Sequence, residues 1–271
     1  MVGQDNIINR LKSIPINEFP RSILLLGELG SGKHTLTQEI SKILGLDIID
    51  ISNDFSSEII DNIYQRVEPH IYLIDISKQQ ASAQMKLLKF IEEPLKNSFT
   101  VLISDNKLNV IETLINRCYN IELKYNIEAL RLFTKDNANG DLVIRYSTTP
   151  GQVIDLLNDS SKFNTLCDCI ALADNIILNI HRATLPNTLS ISNKMAFNKE
   201  KGKLDVDLFM RVMSGRLLEK IIHTEEEGTL LRDIYSYTRD CRYKMILPNV
   251  SAKYIFEKWL CDIWKITRKE N

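Results

Sequence analysis

The sequence is short of several things. No uninterrupted apolar stretch approaches the roughly 20 residues that a membrane span needs, and residues 1–10 are polar, without the apolar core of a signal peptide. Neither sign of charge dominates: 34 Lys+Arg stand against 35 Asp+Glu, a net charge of -1, so no global basic field points to nucleic acid. The five cysteines are Cys118, Cys167, Cys169, Cys241 and Cys261. Their number is odd and none forms a C-x-x-C pair, which argues against a disulfide framework and against a four-cysteine zinc site. There is no internal repeat and no low-complexity tract. A reduced, soluble, cytoplasmic protein without a membrane partner is the expectation.

What is present is a large apolar fraction, 44% of 271 residues, enough for more than one core. As far as Lys124, short apolar runs alternate with amphipathic stretches. Strands are expected at residues 22–26, 47–52, 71–74, 100–104 and 119–123. Helices are expected at 35–44, 59–67, 82–91 and 110–116, the third presenting Met85, Leu88 and Ile91 on one side. Strands apolar along their whole length, alternating with helices, predict an α/β fold with a parallel sheet covered on both faces. Ligands of such sheets bind beyond the carboxyl ends of the strands. After Lys124 the pattern changes. Residues 127–160 read as two or three short helices punctuated by Asn139-Gly140 and Pro150-Gly151. From Phe163 onward the pattern is almost wholly helical, with helices at 166–180, 204–223, 229–241 and 253–266. Residues 185–203 are polar and irregular and read as a loop.

The most informative segment is Gly27-Glu28-Leu29-Gly30-Ser31-Gly32-Lys33-His34-Thr35, between a strand and a helix. It fits the phosphate-loop pattern G-x-x-x-x-G-K, with His34 where a hydroxyl is usual. The glycines let backbone N–H groups converge on phosphate oxygens, the following helix adds its positive end, and Lys33 supplies a point charge. Imidazole is a poor partner for Mg²⁺, and Thr35 is the adjacent hydroxyl that could substitute. The strand ending at Asp75 places a carboxylate where a P-loop ATPase holds Mg²⁺. A turn cap is the alternative role for Asp75. The next residues are Ile76 and Ser77, so no second acid is placed to polarise water.

Asp75 followed by Ala83-Gln84-Met85-Lys86-Leu87-Leu88-Lys89-Phe90-Ile91-Glu92-Glu93-Pro94 resembles the clamp-loader branch of the AAA+ ATPases. So does Asn116-Arg117-Cys118, at the place of that family's Ser-Arg-Cys. Val2-Gly3-Gln4-Asp5 looks like the segment that packs near the adenine, and Leu247-Pro248-Asn249-Val250-Ser251 loosely resembles an element of the collar domain. Within the branch the chain is most similar to the delta-prime type of the bacterial DNA polymerase III clamp loader. His34, the missing second acid, and Thr149-Pro150-Gly151-Gln152 in place of a sensor arginine favour that type over the hydrolysing gamma/tau type.

The resemblance implies an AAA+ P-loop core at 1–124, a small helical lid at 125–162 and an all-helical collar at 163–271. It implies a pentameric ring with gamma/tau-like and delta-like subunits that places a sliding clamp on primed DNA. Arg117 would act in the neighbouring subunit's ATP site. The expected nucleotide site is Gly27, Gly30, Ser31, Gly32, Lys33, His34, Thr35 and Asp75, binding ATP or ADP with Mg²⁺ weakly or not at all. The zinc module of related subunits is not expected. Two other readings are an active gamma/tau-like ATPase and, more remotely, a P-loop small-molecule kinase. Lys86 and Lys89 read as a solvated helix face, and Trp259 and Trp264 as core or interface aromatics.

Overall fold

The computed structural model describes residues 3–52, 63, 68–94, 98–134, 137–179, 182, 184–197, 204–223, 228–245, 247 and 250–269. It divides the chain into two compact units, one of Met1–Asp136 with Ser147–Ile154 and one of Asn137–Tyr146 with Asp155–Asn271. Residues 125–162, expected as a lid, are thus shared between the two.

The first unit is built on five parallel strands: β1 (Ser22–Leu26), β2 (Ile48–Asp50), β3 (Ile71–Asp75), β4 (Phe99–Ser104) and β5 (Tyr119–Glu122). Their order across the sheet is β2-β3-β4-β1-β5. Every residue of β1 is buried. Alternate β1 residues serve opposite faces, as the pleat requires. Leu24 and Leu26 join Tyr72, Ile74, Leu87, Phe90 and Leu102 on one side, while Ile23 and Leu25 join Leu36, Ile40, Leu73, Val101 and Ile121 on the other. The sheet is therefore packed on both faces, with helices over each, as expected of an α/β fold with a parallel sheet.

Helix α1 (Asp5–Lys12) precedes β1, and α2 (Lys33–Leu44) follows it, ending at Gly45 in the left-handed conformation (φ 66). Helix α3 (Ala81–Glu92) buries Gln84, Leu87, Phe90 and Ile91. Met85, expected on the inner side, is 60% exposed. Gln84 takes its place because it has work inside: its amide donates to Gln79 O and Asn109 O and accepts from the Ile111 N–H. A short α4 (Glu112–Ile115) leads into β5. The helix expected at 59–67 lies outside the described residues apart from Ile63, which is buried.

Three short helices follow: α5 (Ile127–Arg131), α6 (Gly140–Arg145) and α7 (Pro150–Asn158). Asn139-Gly140 and Pro150-Gly151 fall at helix boundaries as expected, with Gly140 and Pro150 each opening a helix; proline suits a first turn, where its missing N–H costs nothing. The second unit is mostly α8 (Ser160–Asn179), α9 (Leu185–Ser190), α10 (Val206–His223), α11 (Gly228–Met245) and α12 (Ala252–Lys269). Within the stretch expected as a loop, 185–203, the described residues carry regular structure: α9 is followed by a 3-10 turn at Ile191–Lys194 and by a strand, Met195–Ala196, that pairs with Leu204–Asp205. The core holds Phe209, Phe256 and Trp259, with the Phe256 and Trp259 rings stacked at 5.4 Å. The Trp259 indole N–H donates to Thr238 Oγ1 at 2.9 Å, and that hydroxyl donates to Ile234 O. Trp264 is half-buried beneath the Arg268 guanidinium.

Candidate functional site: a phosphate loop and an outlying arginine

The loop after β1 leaves the sheet at its carboxyl edge, where Gly27 N–H donates to Ser104 O of the adjacent β4. Two glycines make the turn: Gly30 and Gly32 have φ of 82 and 88, the left-handed region where a side chain is strained. Gly32 immediately precedes α2, so the loop ends on a helix amino terminus as the sequence pattern requires. The structure thus brings Gly27, Gly30, Ser31, Gly32 and Lys33 into one loop.

Lys33 does not face outward. Its side chain is 6% exposed, and its ammonium donates to Gly27 O at 2.5 Å, to Glu28 O at 3.3 Å and to Asp105 Oδ1 at 2.7 Å. An ammonium has three N–H bonds, so these partners use all of them. Asp105, just past the end of β4, is a partner of Lys33 that the sequence did not announce. The available signal was its place: β4 neighbours β1, so the residue after Ser104 stands beside the loop after Leu26.

The remaining expected residues are dispersed. His34 and Thr35 are both exposed on the first turn of α2, and the hydroxyl that is turned inward there, Thr37, donates to Lys33 O. Asp75 accepts from Ser77 N–H at 2.8 Å, the turn-cap role. Ile76, after it, is fully buried. The residues present therefore do not fit a Mg²⁺–nucleotide complex well. The loop lysine is already neutralised, and the position of the usual magnesium hydroxyl carries an imidazole.

A second part of the chain closes over the loop. Thr148 Oγ1 donates to Glu28 Oε2 at 2.5 Å, Thr149 Oγ1 to Leu29 O at 2.9 Å, and Gly151 N–H to Gly30 O at 3.0 Å. Backbone meets backbone here: a Cβ on Gly151 would stand 2.6 Å from Gly30 Cα. From another side Tyr125 donates its hydroxyl to Ser31 O, and the buried Gln4 amide donates to Lys124 O. Thr149 to Gln152 is marked in the sequence only by lacking a sensor arginine, yet the stretch from Thr148 to Gly151 is a clasp. Arg145 is engaged elsewhere, with Glu219 at 2.8 Å inside the helical unit.

Arg117 stands apart from all of this. In the β1–β5 pair Ile23 lies beside Tyr119 and Leu26 beside Glu122. Arg117 precedes that pair at its amino end, whereas Gly27 follows it at the carboxyl end. Four residues of strand put at least roughly 13 Å between them. The Arg117 side chain is 43% exposed, with Nε 2.5 Å from Glu92 Oε1 and Nη1 donating to Thr113 O at 3.2 Å. Its neighbour Cys118 is buried, and desolvation pushes that thiol up to about 12. Among the described residues no group of three or more His, Cys, Asp or Glu is placed to hold a metal ion, and no helix is long and apolar enough to cross a membrane.

No curated protein sequence matches the chain. Among solved structures, a DNA polymerase III gamma subunit-related protein of Thermotoga maritima is 14% identical, with 96% of this chain and 99% of that one covered, at a TM-score of 0.48. The Thermotoga maritima RuvB Holliday junction branch migration motor is 15% identical over 88% of this chain and 78% of its own, at 0.47. The FIGL-1 AAA domain in complex with ADP is 13% identical over 62% and 73%, at 0.46. Residues 47–126, the stretch from β2 through β5 that carries Asp75, Glu92, Asp105 and Arg117, match the family described as DNA polymerase III, delta subunit.

Proposed function

We propose that this chain is a delta-prime-like subunit of a clamp-loader ring, one that lends Arg117 to a neighbour's ATP site and does not turn over ATP itself. The observation that carries the reading is the position of Arg117 at the amino edge of the sheet, opposite the chain's own phosphate loop. A guanidinium there has no path to its own loop and is half exposed. Planar and permanently charged, it suits the γ-phosphate, where charge develops during transfer; such arginines contribute about 10³–10⁵ in rate. The match of residues 47–126 supports the replication setting. On this reading the helical unit is the collar that assembles with gamma/tau-like and delta-like subunits, and the ring acts on a sliding clamp and primed DNA.

An active gamma/tau-like role is disfavoured by the saturated Lys33 and by Ile76 in place of a second acid. The test is direct. Chain purified alone with Mg²⁺ and ATP releases no phosphate above a K33A control, and chain recovered from its own cells brings stoichiometric ATPase subunits with it. Brisk turnover by the isolated protein, or recovery as a free monomer, overturns the reading.

A further inference from the structure

We infer that Asp105 is a built-in counter-ion that keeps nucleoside di- and triphosphates out of the phosphate loop. This deepens the proposed lack of turnover but concerns the isolated chain alone, so its failure would leave the outlying role of Arg117 standing.

Three observations converge. Lys33 spends one N–H on a carboxylate and two on carbonyls of its own loop, Gly27 and Glu28. A polyphosphate could reach the ammonium only by displacing them. Next, the Ser31 amide, one of those a phosphate oxygen would need, already donates to Glu28 O at 3.0 Å. Finally, Ser31 Oγ is fully buried inside the loop and makes no hydrogen bond among the described residues. An orphaned hydroxyl in a loop this small marks a cradle shaped for an acceptor that the present arrangement does not admit.

The carboxylate is the decisive element. Asp105 brings a negative charge to within hydrogen-bond distance of the cation that polyphosphate must approach, so an incoming phosphate loses an attraction and meets a repulsion at once. Asp105 is held there: its backbone N–H donates to Ser77 Oγ at 3.2 Å, and Ser104 and Asn106 on either side bond each other. With 40% of its side chain exposed, the repulsion is partly screened, which places the expected effect toward the low end of the range for like charges.

The experiment titrates a fluorescent ATP analogue, with and without Mg²⁺, into the full chain and into D105N and D105S. Both substitutions remove the charge, and the first keeps the shape. Expected is binding at least about tenfold tighter in the variants than in the parent, with the gain abolished in the D105N/K33A double variant. Equal affinity in parent and folded variants overturns the inference, and so does a gain that survives K33A. A second readout uses the parent protein only. Limited acetylation followed by mass spectrometry should label the exposed Lys42 well before Lys33; equal labelling of the two overturns the inference even if neither variant folds.

Discussion

Among the described residues Arg117 donates from Nη1 to Thr113 O and is ion-paired at Nε with Glu92, so its guanidinium is anchored at one corner. Glu92 closes α3 within the Glu92-Glu93-Pro94 element, and Arg117 follows α4; the pair joins two helix ends into one platform. Both partners are more than two-fifths exposed, and such pairs contribute less than about 1 kcal/mol. Glu92→Ala should therefore leave urea melts nearly unchanged while lowering the assembled complex's turnover several-fold, because a misplaced guanidinium loses alignment. Cys118, next in the chain, reports on the same corner. Its thiol is raised to about 12 from an ordinary 9, because burial disfavours the thiolate. A raised folded value means that this group's contribution is intact below pH 9 and is lost as pH rises from 9 toward 12. Alkylation at pH 8 followed by mass spectrometry should modify the exposed Cys167 first and Cys118 slowly.

At the scale of elements, β1 is the spine of the first unit, buried on both faces and paired on both sides. Leu25→Ala should cost about 2–5 kcal/mol in chemical denaturation, since the helices over both faces limit collapse into the cavity. In the helical unit Thr238→Val strands a buried indole N–H and should cost about 1–3 kcal/mol. The strands and the phosphate loop were legible in the sequence because each signal is local: an unbroken apolar run, then glycines at fixed spacing. The Lys33–Asp105 pair and the clasp from Thr148 to Gly151 were not, since they join residues 72 and 120 positions apart. Only the strand order brings the first pair together. Met85 shows a different failure: apolar spacing placed Leu88 and Ile91 against the core correctly but Met85 wrongly, because the buried polar Gln84 supplies bonds that no hydrophobic pattern encodes. Helix α9 is six residues with a proline in its first turn, too short for a period to register.

At the scale of the whole chain, the buried Lys33 and the half-exposed Arg117 are the two cations on which the proposed function rests. The phosphate loop keeps its glycine turn while two of its own carbonyls and the Asp105 carboxylate occupy its cation. Arg117 sits at the other end of the sheet, paired with Glu92 at its Nε and donating to Thr113 O. The most direct measurement is steady-state ATP hydrolysis by the reconstituted ring carrying either the parent chain or R117A at equal assembly. A fall of at least about tenfold with R117A is expected for an arginine that completes a neighbour's phosphate site. An unchanged rate in a fully assembled R117A ring would contradict the account.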